Sequence, residues 1–209
     1  MSFIAGLDLG QAQDYSALVL VERTQLPRDE LVLGSTAPPA TYAVRGITRW
    51  PLGTPYPVIV KELTARLSQS PLVAHTQLIV DYTGVGRPCL DMLKQAHLRP
   101  TGVSIHGGDS VSRDGMNYRV PKRDLVSTVS VLLQQSRLRI AESLPQTPLL
   151  TQELLNFKVR IDPATAHDSY SAWRERDHDD LVLALALACW YGEYMQGRRA
   201  GAWGVPIRY

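Results

Sequence analysis

Two apolar segments of the chain end in a carboxylate. FIAGLD, residues 3–8, closes on Asp8, and QLIVD, residues 77–81, closes on Asp81. Each segment reads as a buried strand, so each acid stands where a buried strand emerges. A carboxylate in that position is costly unless it is paired, hydrogen-bonded or bound to a metal. A third acid group, the DHDD run Asp177 to Asp180, opens the apolar stretch LVLALALACWY. On a helix that reaches back that far, Asp177 and Asp180 share one face and Asp179 points elsewhere. Acids converging from two strands and one helix would repel unless a divalent cation stood between them. Hard oxygen ligands without His or Cys neighbours favour Mg²⁺ or Mn²⁺. Two such ions would clamp a phosphodiester in line, activating water on one side and stabilising the leaving oxygen on the other. Taken singly, each acid has an ordinary reading: Asp8 before Leu9 and Gly10 as a turn former, Asp179 or Asp180 as a helix cap. Their joint occurrence carries the metal reading.

The elements that must position these acids follow from the hydrophobic periodicity. Strands are predicted at 3–8, 16–22 and 41–50, the first two joined as a hairpin through the turn at 10–14. Residues 24–39, with three prolines, form a surface loop. A helix over 57–68 carries Val58, Leu63 and Leu67 on one stripe. The 77–81 strand follows, then a turn through Gly84 and Gly86, an amphipathic helix at 88–96 and a fifth strand at 102–106. Residues 107–120 read as a long polar loop of the kind that carries function. Pro121 starts a helix to about residue 135. A strand-like RLRI, a helix at 147–157, a hairpin within 158–176 and a helix over 181–195 complete the chain. This order predicts an α/β fold with a mixed central β-sheet, three antiparallel strands then two parallel, flanked by helices on both faces. Ligands of such sheets gather at the carboxyl ends of parallel strands, where Asp8 and Asp81 stand. The predicted organisation is one domain over 1–196 and a basic, flexible tail over 197–209.

Composition narrows the classes. The chain has 209 residues, 44% hydrophobic and 20% charged, which suits one globular domain with a sizeable core. Its longest apolar run, 181–191, is too short to span a bilayer, which needs about 20 residues. The start MSFIAGLDLG holds an acid within its apolar stretch and lacks a basic leader, so it is not a signal peptide. Cys89 and Cys189 have no metal-ligand spacing, which points to a reducing compartment and to a cytoplasmic location. The net charge of +2 neither demands nor forbids nucleic acid.

Four blocks together resemble a known family. GLDLGQAQDYSALVLVE, LIVDYTGVGRPCLDML, VPKRDLVSTVSVLLQQSRLRI and HDDLVLALALACW look, in that order, like the C-terminal nuclease domain of phage large terminase subunits. The resemblance implies an RNase H-like fold, two-metal DNA cleavage, and cutting of concatemeric phage DNA during genome packaging. Carried over by position, the catalytic and metal-binding acids are Asp8, Asp81 and Asp180, with Asp179 or Asp177 as an auxiliary ligand of two Mg²⁺ or Mn²⁺ ions. The implied partners are double-stranded DNA, an ATPase motor, and small terminase or portal proteins, with no membrane. Full terminases carry an ATPase, and this chain has no G-x-x-x-x-G-K-[ST] loop, so it is read as an excised domain or a separately encoded nuclease. RuvC-type junction resolvases share the chemistry, and their paired acids resemble Asp177 and Asp180. A docking module of the same fold without chemistry is a further alternative. So is an actin-like phosphotransferase, although its second Gly-rich segment is not found here.

Around the acids, Arg113, Arg119, Lys122 and Arg123 are the expected grips on the DNA backbone, since phosphate contacts supply most non-specific affinity. Basic residues at a helix start oppose its dipole, which favours a role for the last two. Thr83, Gly84 and Gly86 permit close approach to a phosphate, or form an ordinary strand-to-helix turn. Asp14 reads as a turn former. His178, Tyr170, Trp173, His106, Arg198 and Arg199 have structural or solvated readings at least as good as functional ones.

Overall fold

The computed structural model describes residues 2–10, 14–26, 39–159 and 179–199. Asp177, His178, Tyr170, Trp173, the hairpin expected after residue 159 and the tail beyond residue 199 lie outside the described residues.

Alternation in the first strand organises the molecule. In β1 (Ser2–Asp8), Phe3, Ala5 and Leu7 face one side of the sheet, and Ile4, Gly6 and Asp8 face the other. On the first side, α1 (Tyr56–Leu67) and α2 (Arg87–Gln95) bury Ile59, Leu63, Leu67, Cys89, Leu90 and Leu93. The buried stripe of α1 thus runs through Ile59, four residues before Leu63, and Val58, expected on that stripe, is exposed. On the second side, α3 (Lys122–Gln134), α4 (Thr147–Val159) and α5 (Asp180–Arg199) cover the sheet.

Among the described residues the sheet has eight strands in the order β6-β7-β5-β4-β1-β2-β3-β8. β2 (Ala17–Gln25) and β3 (Ala40–Arg49) continue antiparallel from β1, while β4 (Thr76–Asp81) and β5 (Pro100–His106) add on parallel. These are the three antiparallel and two parallel strands that the periodicity predicts. The expected polar loop at 107–120 instead contains two more strands, β6 (Ser112–Asp114) and β7 (Asn117–Pro121), with β7 parallel to β5. The hairpin turns on Gly115, whose φ of +60 suits glycine. Its Asp-Gly pair is a strong hairpin signal that the polarity of the segment hides. Pro121 ends β7 with extended backbone, so the helix after it begins at Lys122. β8 (Leu138–Ile140) completes the other edge, parallel to β3.

The contact that places α5 is at Gly6. A Cβ built there would lie 1.9 Å from the carbonyl oxygen of Ala184 and 3.1 Å from the nitrogen of Ala188, so helix backbone rests on strand backbone. Such approach needs an apolar helix with small residues, and α5 buries every residue from Asp180 to Trp190 except the partly buried Leu183. Its far end is tied down by Glu193, which accepts 2.6 Å hydrogen bonds from the Tyr42 hydroxyl and from Arg137 Nη2. Gly6→Ala must push backbone away. It should destabilise the chain by about 1–3 kcal/mol or more in urea unfolding, whereas Gly107→Ala, with nothing within 4 Å, should stay within about 0.5 kcal/mol. Equal effects of the two would show that this contact does not set the helix position.

Candidate metal centre at the carboxyl ends of β1 and β4

Asp8 and Asp81 are direct partners in the parallel β1–β4 ladder. Adjacent strands lie about 4.8 Å apart. Asp8, two residues beyond Gly6, shares the glycine's face, and Asp180 begins α5 one helical turn before Ala184. The helix start therefore overlies the strand ends. Asp8, Asp81 and Asp180 are 9, 5 and 6% exposed, which makes their charges expensive. Two carboxylates about 5 Å apart repel by roughly 3 kcal/mol at an effective dielectric of 20, a large share of the roughly 5–15 kcal/mol that stabilises a domain.

The Asp8 carboxyl is accordingly pushed well above its ordinary range. Burial is the main cause, followed by the charges of Asp81, Asp180, Asp179 and Asp14. That series brings Asp8, Asp81, Asp179 and Asp180 into one electrostatic neighbourhood, with exposed Asp14 at its edge. Among the described residues, no three His, Cys, Asp or Glu side chains stand close enough together to hold an ion as placed. By donor chemistry the residues fit a hard divalent ion, being oxygen ligands with no thiolate or imidazole among them.

Asp81 is held in place by the turn that follows it. Its Oδ1 accepts the Thr83 N–H at 2.8 Å and also the Thr83 hydroxyl hydrogen bond, while Thr83 Oγ1 accepts the Ile105 N–H at 2.7 Å. Thr83, read from sequence as approaching a phosphate or forming an ordinary turn, thus ties one oxygen of Asp81 to β5. Beside Asp8, the Gly10 N–H donates to Ser16 Oγ at 3.1 Å and the Tyr56 hydroxyl donates to the Gly10 carbonyl at 2.8 Å, fixing the base of the β1–β2 connection.

A residue that the sequence reading missed lies against the helix start. Glu153 of α4 is 6% exposed and contacts α5. Burial raises its carboxyl to about 7, helped by the Asp180 charge and opposed by the Val182 and Leu181 N–H groups and Arg49. The available signal was an acid three residues after Leu150 on the same stripe of a helix. Arg49, at the end of β3, was also missed. It lies 3.6 Å from Glu153 and stacks 4.1 Å over the ring of Tyr15.

The four basic residues do not form one patch. Arg113 pairs across the hairpin with Tyr118, stacks over its ring at 5.6 Å and donates to the Gly115 carbonyl. Arg119 is the next residue on β7 and points to the opposite face of the sheet. Lys122 and Arg123 start α3 where β7 ends beside His106, at the same edge of the sheet as Asp8 and Asp81. Arg123 is bound to Asp109 through its side chain at 2.6 Å and its carbonyl at 2.7 Å.

A pH dependence follows from the raised acids. Asp8 and Glu153 keep their protons to higher pH in the folded chain than in the unfolded one, where about 3.8 and 4.5 apply. The folded state therefore binds more protons, and stability falls as pH rises above about 3.8 on account of Asp8 and from about 4.5 through about 7 on account of Glu153. Melting in EDTA should show Asp8→Asn gaining Tm over the wild type, by a margin that widens as pH rises above the ordinary carboxylate range. A constant or shrinking margin would refute the buried acid cluster.

No protein-family model and no curated protein matches the chain. Solved structures do. The large terminase nuclease from thermophilic phage G20c superposes with a TM-score of 0.54 at 21% identity, covering 90% of this chain and 80% of that one. Its zinc-bound form gives 0.54 at 22%, covering 90% and 79%. The manganese-soaked terminase nuclease domain of human cytomegalovirus gives 0.53 at 12%, covering 95% and 87%. At these identities the likeness is one of architecture, and the eight-stranded mixed sheet with helices on both faces is the RNase H-like fold that these nuclease domains share.

Proposed function

We propose that the chain is a metal-dependent DNA endonuclease that cuts concatemeric phage DNA during genome packaging. The observation that carries this reading is the pairing of buried Asp8 with buried Asp81 in one ladder, beneath a helix start that supplies Asp180 and Asp179. The likeness to large terminase nucleases and a terminase nuclease domain, two of these structures with metal, supports it.

In this reading Asp8, Asp81 and Asp180 hold two Mg²⁺ or Mn²⁺ ions, with Asp179, and Asp177 outside the described residues, as auxiliary ligands. Bound ions of this kind supply an activated water and a counter-charge for the leaving oxygen. The chain's own residues do the rest. Thr83 keeps one Asp81 oxygen engaged and so orients the other. A bound cation would favour the ionised form of Asp8, offsetting the burial and repulsion that raise its carboxyl. Lys122 and Arg123, at the sheet edge that carries the acids, bind backbone phosphates of duplex DNA. Translocation belongs to an ATPase partner, and small terminase or portal proteins complete the assembly.

Cleavage of supercoiled plasmid, linear duplex and a synthetic four-way junction tests the reading. Nicking and linearisation of ordinary duplex with Mg²⁺ or Mn²⁺, and none with EDTA, is the expected result. Asp8→Asn and Asp81→Asn should each lose at least about 100-fold in cutting rate while melting as folded proteins, an order set by losing transition-state charge stabilisation. Normal cutting by both would sink the assignment, and cutting confined to the junction would replace it with a resolvase. Replacing Lys122 and Arg123 together by Ala should lower the log–log salt slope of DNA binding by about 2, one phosphate per residue. An unchanged slope removes them from the interface.

A further inference from the structure

The first turn of α5 is capped by another helix. Leu183 donates its N–H to the Asp179 carbonyl at 2.9 Å, which makes Asp179 the cap position and Leu181 and Val182 the second and third helical residues. The N–H groups of those two residues are the ones a capping Asp ordinarily satisfies with its own side chain. Here both donate to Glu153 Oε2, at 3.1 and 3.2 Å, from 28 and 29 residues away in sequence. The other Glu153 oxygen lies 3.6 Å from Arg49 Nη1, and Arg49 rests on Tyr15, beside Asp14. One buried carboxylate thus joins α4, the end of β3 and the start of α5. Its position within the acid neighbourhood is also unusual, because an acid there adds to the repulsion that the site already carries.

We propose that Glu153 is a positioning residue for the metal centre. By capping α5 from outside it fixes the first turn that carries Asp179 and Asp180, the two acids whose charges act on Asp8 from the helix. The inference rests on the metal-centre reading above, and it assigns Glu153 no contact with substrate or ion. Its effect runs through backbone N–H groups, so the acceptor geometry matters and the negative charge does not.

Mn²⁺ titration of the DNA-free chain, followed by electron paramagnetic resonance, separates the possibilities, with thermal melts confirming folded protein. Glu153→Gln keeps an oxygen at the same reach and should bind Mn²⁺ within about 3-fold of the wild type. Glu153→Asp keeps the charge but is one methylene too short for Leu181 and Val182, and should weaken Mn²⁺ binding by about 10-fold or more, the range seen when a ligand's supporting group is removed. Cutting by Glu153→Asp should recover at high Mn²⁺, since the acids themselves remain. Wild-type affinity in folded Glu153→Asp overturns the proposal, and so does a loss in Glu153→Gln as large as in Glu153→Asp. A wild-type chain that binds no Mn²⁺ would instead overturn the metal-centre reading.

Discussion

Helix α5 lies on β1 with backbone against backbone, and the rest of the site depends on that approach. Gly6 offers no Cβ and Ala184 presents its carbonyl, so the two elements meet far more closely than a layer of ordinary side chains would allow. From this contact the geometry follows by simple counting. Two residues along the strand, about 7 Å, bring the chain to Asp8. One turn back along the helix, about 5.4 Å, brings it to Asp180. A bulkier residue at position 6 would separate the acids by the width of its own side chain. The apolar character of α5 from Leu181 to Trp190 permits this central placement, because that stretch offers no polar side chain to be buried without a partner.

The consequence is a concentration of like charge that the fold must tolerate. Burial and four acidic neighbours disfavour the ionised form of Asp8 and hold its carboxyl well above the ordinary range. Thr83 and Glu153 do not neutralise the cluster; they hold its members in place, one by engaging an Asp81 oxygen and the other by gripping the helix start. A domain only marginally stable accepts such repulsion where the acids serve a purpose, and perturbed acids gather at functional sites for that reason. The opposite end of α5 carries no comparable tension. There Glu193 bonds to Tyr42 and Arg137, a complementary arrangement that anchors the helix.

Much of the architecture was legible in local pattern. Strand-end acids, aliphatic runs and turn glycines marked β1 and β4, and the apolar run after the DHDD cluster marked α5. Elsewhere local pattern misled. The 107–120 segment reads as loop because its residues are polar and short-range alternation is weak, yet Asn117 to Pro121 finds a partner in β5 and becomes a strand. In α1 the stripe shifts from Val58 to Ile59, since the register is decided by what the sheet face accepts. Glu153 looked like an ordinary helix acid, and only its distant partners give it a role.

From the sequence alone came the residue types, the periods and hence the elements: which segments are strands, where carboxylates leave them, and which helix is apolar enough to sit at the centre. Those properties are local, set by propensity and by alternation over a few residues. The tertiary structure decided the pairing of Asp8 with Asp81, the seating of Ala184 on Gly6, the capping of Leu181 and Val182 by Glu153, and the separation of Arg113 from Arg119 across the sheet. Each joins residues far apart in the chain or depends on strand register, and register and helix approach are selected by packing of the whole core rather than by any one segment.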